Sequence, residues 1–100
     1  KIMNMQAIMM QAKKMQKDMK NKQKELEGKF YEGKSQLVTA TISGKNELVS
    51  IKIDTDEISS DDKEMLEDMV MIAVNDAIKK MEADKQEKFG KYGNMLNGLM

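Results

Sequence analysis

The sequence predicts an α+β domain in the order helix, β-meander, helix. Residues 2–27 repeat apolar side chains every three or four positions, which is typical of a helix. Residues 37–54 are rich in β-branched side chains that alternate with polar ones, which is typical of strands. From residue 59 the helical pattern returns after a serine and aspartate start signal.

The first predicted helix, residues 1–28, carries a heptad seam. Its positions are Met5, Ile8, Ala12, Met15, Met19, Lys22 and Leu26, with one lysine among apolar or small residues. No proline or internal glycine interrupts the segment, and Gly28 is a typical stop. About 26 residues at 1.5 Å each span roughly 40 Å. This is long for a domain of 100 residues, so we expect part of the helix to project as an arm.

The predicted sheet occupies residues 29–54. Two strands are predicted at residues 37–43 (LVTATIS) and 48–54 (LVSIKID), and the intervening residues 44–46 (GKN) favour a hairpin turn. Residues 30–31 (FY) are compatible with a further short strand.

A second helix is predicted over residues 59–89. Serine and aspartate residues at its start suit an N-cap, and Asp61 and Glu64 have capping-box spacing. Residues 69–74 (MVMIAV) are apolar nearly all round, which one sheet face cannot cover, so we expect a second subunit there. The predicted dimer interface comprises Met69, Val70, Ile72, Ala73, Val74, Ala77 and Ile78.

Two further features of this region carry predictions. Asn75 and Asp76 interrupt the apolar stretch and are interpreted as a buried polar pair that gives an interface its specificity. Residues 90–100 contain three glycines and are predicted to form a flexible tail.

The composition argues against an enzyme. The chain has no cysteine and no histidine, which removes disulfides, the usual zinc sites and the commonest general base. The twelve methionines stand mostly at core spacing, so they indicate packing rather than a soft-metal site. Helix capping accounts better than a cation site or a catalytic pair for the carboxylates Asp54, Asp56, Glu57, Asp61 and Asp62. We therefore expect no cofactor, no metal and no small-molecule substrate.

The same composition bears on location. No apolar run is long enough to span a membrane and no signal peptide is visible, so a cytoplasmic setting is expected. The chain begins at Lys1 rather than Met, so this expectation extends only to the residues present.

Charge is distributed unevenly along a chain whose net charge is zero. Residues 1–34 carry a balance of +5, and residues 61–90 carry −4. On the first helix Lys13, Lys17, Lys20 and Lys24 fall within about 60° of arc, with Lys14 beside them. Such a stripe is often only a solvated face, but its repetition without interleaved acids favours binding of a polyanion.

Arginine, which reads base edges with two hydrogen bonds, is absent from the chain. If the polyanion is DNA, phosphates should therefore supply most of the affinity, and sequence preference should be modest.

Four segments, taken in their order along the chain, resemble the YbaB/EbfC family of small bacterial nucleoid-associated proteins. They are MQAIMMQAKKMQKDM (residues 5–19), LVTATISG (37–44), VSIKID (49–54) and DDKEMLEDMVMIAVNDAIKKME (61–82). The resemblance covers essentially the whole chain, and its most specific part is residues 63–80.

The resemblance implies a three-stranded antiparallel sheet flanked by helices, in a tweezer-like homodimer with projecting arms. It also implies non-enzymatic binding of double-stranded DNA, a nucleoid location, and an influence on nucleoid organisation and gene expression. Two departures stand out. Gln36 occupies a position where the family often has glycine, and residues 90–100 lack the proline of the family's tail signature. The family has no crisp base-reading motif, so the five lysines are assigned from helix geometry alone.

The alternative hypothesis is a protein-interaction adaptor whose heptad arm pairs with an acidic helical partner. A small enzyme is a third reading, which requires a ligand pocket that no motif of the sequence indicates.

Overall fold

Two helices and a three-stranded antiparallel sheet make up the part of the chain that the structure describes, which confirms the predicted α+β class. The computed structural model describes the backbone of residues 4–99 and the side chains of residues 4–90. The helices are α1 (Met5–Glu27) and α2 (Lys63–Leu99), and a 3₁₀ turn at Ser60–Asp62 leads into α2. The strands are β1 (Phe30–Ser35), β2 (Val38–Ser43) and β3 (Leu48–Ile53). The segment at residues 30–31 is therefore part of a full strand.

The sheet is a meander in the order β1-β2-β3. Ser35 lies opposite Val38, so β1 and β2 are joined by a turn of two residues, and the first of them, Gln36, has a positive φ of 45°. In the second hairpin Asn46 has a φ of 66°, which asparagine tolerates better than most residues. A bulge places Val49 as an extra residue of β3, between the pairs Thr41–Ser50 and Ile42–Leu48.

The core lies between one face of the sheet and α2. Its buried side chains alternate along β2 and recur every four residues along α2, and they are Val38, Ala40, Ile42, Met69, Ala73, Ala77 and Met81. Small residues let the helix approach the strands closely. A Cβ atom added to Gly33 would lie 2.0 Å from the carbonyl oxygen of Ala73, so α2 packs directly on the backbone of β1.

The molecule is elongated, with extents of 77 × 24 × 13 Å. α1 is anchored at its C-terminal end, where Leu26 is buried, while Met15 and Met19 are half-buried. Towards the N-terminus the heptad seam emerges from the protein, and the side chains of Met5 and Ile8 are 64% and 43% exposed. Most of α1 therefore extends beyond the core.

Two predicted features of α2 were wrong. The capping pair is Ser59 and Asp62 rather than Asp61 and Glu64, because the backbone N–H and the hydroxyl of Ser59 both donate to Asp62 Oδ2, at 3.3 and 3.1 Å. The helix also continues to Leu99 instead of ending at Phe89. A glycine inside a helix costs only about 1 kcal/mol relative to alanine, which weakens a helix without ending it. The flexibility of the tail stays a prediction, and Met100 lies outside the described residues.

The predicted dimer interface needs correction at three positions. Met69, Ala73 and Ala77 are at most 5% exposed, because they pack against the sheet of their own chain. They have almost no surface left for a second subunit to cover. Val70, Val74 and Ile78 are half-buried and Ile72 is 55% exposed, so these four stay predicted interface residues.

Candidate nucleic-acid interface

The five predicted lysines all stand exposed on α1. They are Lys13, Lys14, Lys17, Lys20 and Lys24. The helix forms because residues 5–27 contain mainly strong helix formers, and because the side chain of Asn4 caps its start by accepting from the N–H of Ala7 at 3.2 Å. Since α1 is buried only near its C-terminal end, these ammonium groups remain in solvent.

The structure divides the lysines into two sets. Lys13, Lys17 and Lys20 line an open groove between α1 and α2, together with Gln16, Met19, Gln23 and Phe89. Lys14 and Lys24 lie outside this lining. We call this feature the α1–α2 groove. The sequence pattern located the lysines, but it did not indicate that three of them face a second helix, because Phe89 is distant in sequence.

A polar network holds the two walls of the groove at the point where they leave the sheet. Asp84 of α2 accepts hydrogen bonds at Oδ2 from the Tyr31 hydroxyl at 2.6 Å and from the Lys29 ammonium at 3.1 Å. Nearby, Lys88 lies 3.9 Å from Glu25 near the end of α1. The network therefore connects α2 to β1 and to α1.

The pKa shifts in this network agree with its geometry. Burial, and then the hydrogen bond to Asp84, raise the pKa of Tyr31 to about 12. The same hydrogen bond, followed by that from Lys29, holds the pKa of Asp84 below its ordinary value. Hydrogen bonding to Asp84 in turn raises the pKa of Lys29. The hydrogen bonds from Tyr31 and Lys29 thus favour the charged form of the Asp84 carboxylate over the protonated form.

A second cluster of polar side chains caps the outer edge of β1. Asp76 Oδ2 accepts from the backbone N–H of Lys34 at 3.1 Å, and the Lys80 ammonium donates to the carbonyl of Glu32 at 2.9 Å. The two side chains also pair with each other at 3.4 Å. Asp76 therefore belongs to an edge cap, which blocks further strand pairing there. Asn75 is exposed in the single chain, so burial of the pair at an interface stays a prediction.

Acidic residues gather at the other end of the sheet. Residues 54–68 contain eight acids against one lysine, a balance of −7. Asp61, Glu64, Glu67 and Asp68 are exposed around the start of α2, which packs beside Leu37 of the β1–β2 turn. α1 joins the sheet at the opposite end of β1, so the charge asymmetry predicted from the sequence is also a separation in space.

An apolar surface lies on β3 and the adjoining flank of α2. α2 packs over β1 and β2 and leaves much of β3 uncovered, so Leu48 is 51% and Ile53 is 36% exposed. Ile51, Val70 and Val74 lie beside them and are half-buried. We call these five residues the β3–α2 surface.

No other kind of site emerges from the residues that the structure describes. Among them, no three acidic, histidine or cysteine side chains come together in a way that could hold a metal ion. Within the same residues, neither helix has the length and apolar character that crossing a membrane requires.

The fold and the exposed lysines define a small α+β protein with a basic helical arm. The profile of the YbaB/EbfC DNA-binding family matches residues 2–96, and the chain belongs to this family. It is 40% identical over 99 residues to a nucleoid-associated protein of Ligilactobacillus salivarius, covering 97% of this chain and 95% of that one. It is 44% identical over 93 residues to a nucleoid-associated protein of Lactococcus lactis subsp. cremoris, covering 91% and 94%.

Among solved structures, the fold is similar to that of uncharacterized protein HP0035 from Helicobacter pylori. The TM-score is 0.72 at 25% sequence identity, covering 95% of this chain and 99% of that chain. The resemblance to the family is thus confirmed in sequence, and the α+β architecture in structure.

Proposed function

We propose that this chain is a non-enzymatic, nucleoid-associated protein that binds double-stranded DNA with low sequence specificity. In this way it influences nucleoid organisation and gene expression. The observation that carries the proposal is the exposed lysine face of α1, set apart from the acidic end of the molecule. Family membership supports DNA as the polyanion.

The chemistry of these side chains favours holding DNA over reading it. Each lysine offers a single compact charge that pairs with a phosphate, and the release of counterions from the duplex drives binding. The chain has no arginine, so the two-pronged contacts that most often identify guanine are missing.

We further propose that the protein acts as a homodimer. The β3–α2 surface supports this, because it leaves apolar side chains of two elements exposed together. The edge cap on β1 directs a second subunit towards the β3 side of the sheet. Two copies would double the number of lysines that face one duplex.

The test is duplex binding by a variant in which Lys13, Lys17, Lys20 and Lys24 are all changed to glutamate. We expect binding to a 30-base-pair duplex to be lost at moderate salt, while circular dichroism and size-exclusion chromatography show an unchanged fold. The matched control changes four other exposed lysines, Lys45, Lys52, Lys63 and Lys79, to glutamate. Both variants carry the same net charge, so an equal loss of affinity in the control would contradict a specific role for α1.

The adaptor is retained as a second candidate function because the N-terminal end of α1 is apolar. Met5, Ile8, Met9 and Met10 are between 43% and 72% exposed, which suits pairing with another helix. Purification from nuclease-treated lysate separates the two functions. A protein partner that stays bound after nucleic acid is removed, and is lost on changing Ile8 and Met9 to glutamine, would favour the adaptor.

A further inference from the structure

The α1–α2 groove presents two kinds of surface to one ligand. The exposed side chains of Lys13, Lys17 and Lys20 form a cationic rim on α1. Met19 and Phe89 are half-buried and form an apolar floor that includes an aromatic ring. Gln16 and Gln23 add amide groups that both donate and accept hydrogen bonds. Positive charge that can pair with phosphate groups therefore lies next to an apolar surface that can contact bases.

The arrangement of bases in a duplex argues against a whole duplex as the occupant of the groove. Paired bases are stacked on their neighbours, so a duplex lying on the rim presents its phosphates to the lysines but no base face to the floor. An unpaired strand can place its phosphates on the rim and turn its bases inward.

We propose that the α1–α2 groove binds single-stranded nucleic acid, with phosphates on Lys13, Lys17 and Lys20 and a base against Phe89. This inference rests on the proposed function for the role of the lysines and extends it to an unpaired strand. Aromatic contact is tolerant of sequence because every base has a flat face. The site would therefore engage DNA where the duplex is open, without selecting a sequence.

A tryptophan at position 89 tests the contact directly. The chain contains no tryptophan, so Phe89→Trp creates a single fluorescent reporter inside the groove. We expect a 15-nucleotide oligo-dT to quench and shift its emission, while a blunt 15-base-pair duplex at the same phosphate concentration leaves it nearly unchanged. Equal quenching by the two, or no quenching by the single strand at concentrations where anisotropy shows it bound, would overturn the proposal.

Affinity measurements supply a second readout that does not depend on the reporter. Phe89→Leu keeps an apolar side chain in the floor, and we expect it to weaken single-strand binding about 10-fold while duplex binding stays within twofold. Met71→Leu makes a comparable change at an exposed methionine of α2 outside the groove lining, and it should change neither. Equal effects of Phe89→Leu and Met71→Leu on the single strand would contradict a role for the ring.

Matched lysine pairs separate this inference from the proposed function. Lys13→Gln/Lys17→Gln removes two charges from the groove, and Lys14→Gln/Lys24→Gln removes two charges from the same helix outside its lining. We expect the groove pair to weaken single-strand binding at least fivefold more than the outer pair. If the two pairs weaken single-strand binding equally, the groove is not the single-strand site. The proposed function, which is duplex binding, is not contradicted by that result. If the groove pair has the larger effect on single-strand binding but the wild-type protein binds no duplex, the proposed function is contradicted. The proposal of a single-strand site in the groove is then still supported.

Discussion

The hydroxyl group of Tyr31 donates a 2.6 Å hydrogen bond to the Oδ2 atom of Asp84, which joins the first strand to the second helix. Lys29 binds the same oxygen at 3.1 Å, immediately after the turn that ends α1. One carboxylate therefore fixes the place where both long helices leave the sheet.

Removing the hydroxyl should loosen the joint. We expect Tyr31→Phe to lower the free energy of unfolding by about 1 kcal/mol, because a hydrogen bond to a charged group is lost at a partly exposed position. Urea denaturation followed by circular dichroism measures the change. In an Asp84→Asn background the same substitution should cost much less. An equal cost in both backgrounds would mean that Tyr31 acts through packing instead.

Acid should destabilise the protein through the same carboxylate. The folded protein holds the pKa of Asp84 below its ordinary value of 3.8, mainly through the hydrogen bond from Tyr31. A lowered pKa contributes stability above the unfolded value, and this contribution is lost as pH falls through the folded value. We therefore expect stability to decline below about pH 4. The decline should be shallower in Asp84→Asn, and unfolding midpoints measured between pH 6 and pH 2 give the comparison.

The parts of the fold that the sequence predicted are those with a local signal. The helical period of residues 5–27 and the β-branched runs of β2 and β3 show in the residues themselves, and so does the stripe of lysines. Asp84 gave no such signal, because its partners Tyr31 and Lys29 lie 53 and 55 positions away. Only the packing of α2 on β1 brings them together.

The errors along α2 have related physical causes. Its apolar stretch is covered by the sheet on one side only, since Met71 and Ile72 are 60% and 55% exposed, and cover by a second subunit stays a prediction. Periodicity alone could not separate Met69, Ala73 and Ala77, which meet the sheet, from Val70 and Val74 on the flank. That separation depends on how deeply the helix sits on Gly33, a contact between distant backbones. The groove at Phe89 was missed for the same reason.

A single substitution in the turn between β1 and β2 should increase the stability of the protein. Gln36 adopts a φ of 45°, where a side chain costs roughly 1–2 kcal/mol and glycine costs little. Glycine also has more freedom to lose in the unfolded chain, so we expect Gln36→Gly to stabilise the protein by about 0.5–1 kcal/mol. Thermal denaturation is the measurement. Asn46→Gly is the control, since asparagine already tolerates its φ of 66°, and a larger gain there would contradict the argument.

Salt should reveal how many phosphates the lysines contact. The logarithm of duplex affinity should fall linearly with the logarithm of salt concentration, by about 0.9 per phosphate neutralised. Lys13→Gln/Lys17→Gln should lower the magnitude of this slope by roughly 2 for each protomer that is engaged. Titrations at several salt concentrations, with specific and scrambled duplexes side by side, provide the slopes. A response that is flat in the wild-type protein would exclude an electrostatic mechanism.

The contact between α2 and β1 makes the sharpest prediction about stability. A Cβ atom at Gly33 would lie 2.0 Å from the Ala73 carbonyl oxygen and 2.3 Å from the Ala77 nitrogen. Both are backbone atoms of a helix, so neither can rotate away, and the whole helix would have to lift from the strand. We expect Gly33→Ala to cost about 3 kcal/mol or more, a large part of the stability of a small domain.

Gly90→Ala is the matched control for this prediction, because an added Cβ there meets nothing within 4 Å and the residue is helical. It should stabilise the protein by about 0.5–1 kcal/mol through helix propensity. Urea denaturation of the two variants beside the wild-type protein decides the matter. Similar small changes in both would show that α2 does not rest on the backbone of β1.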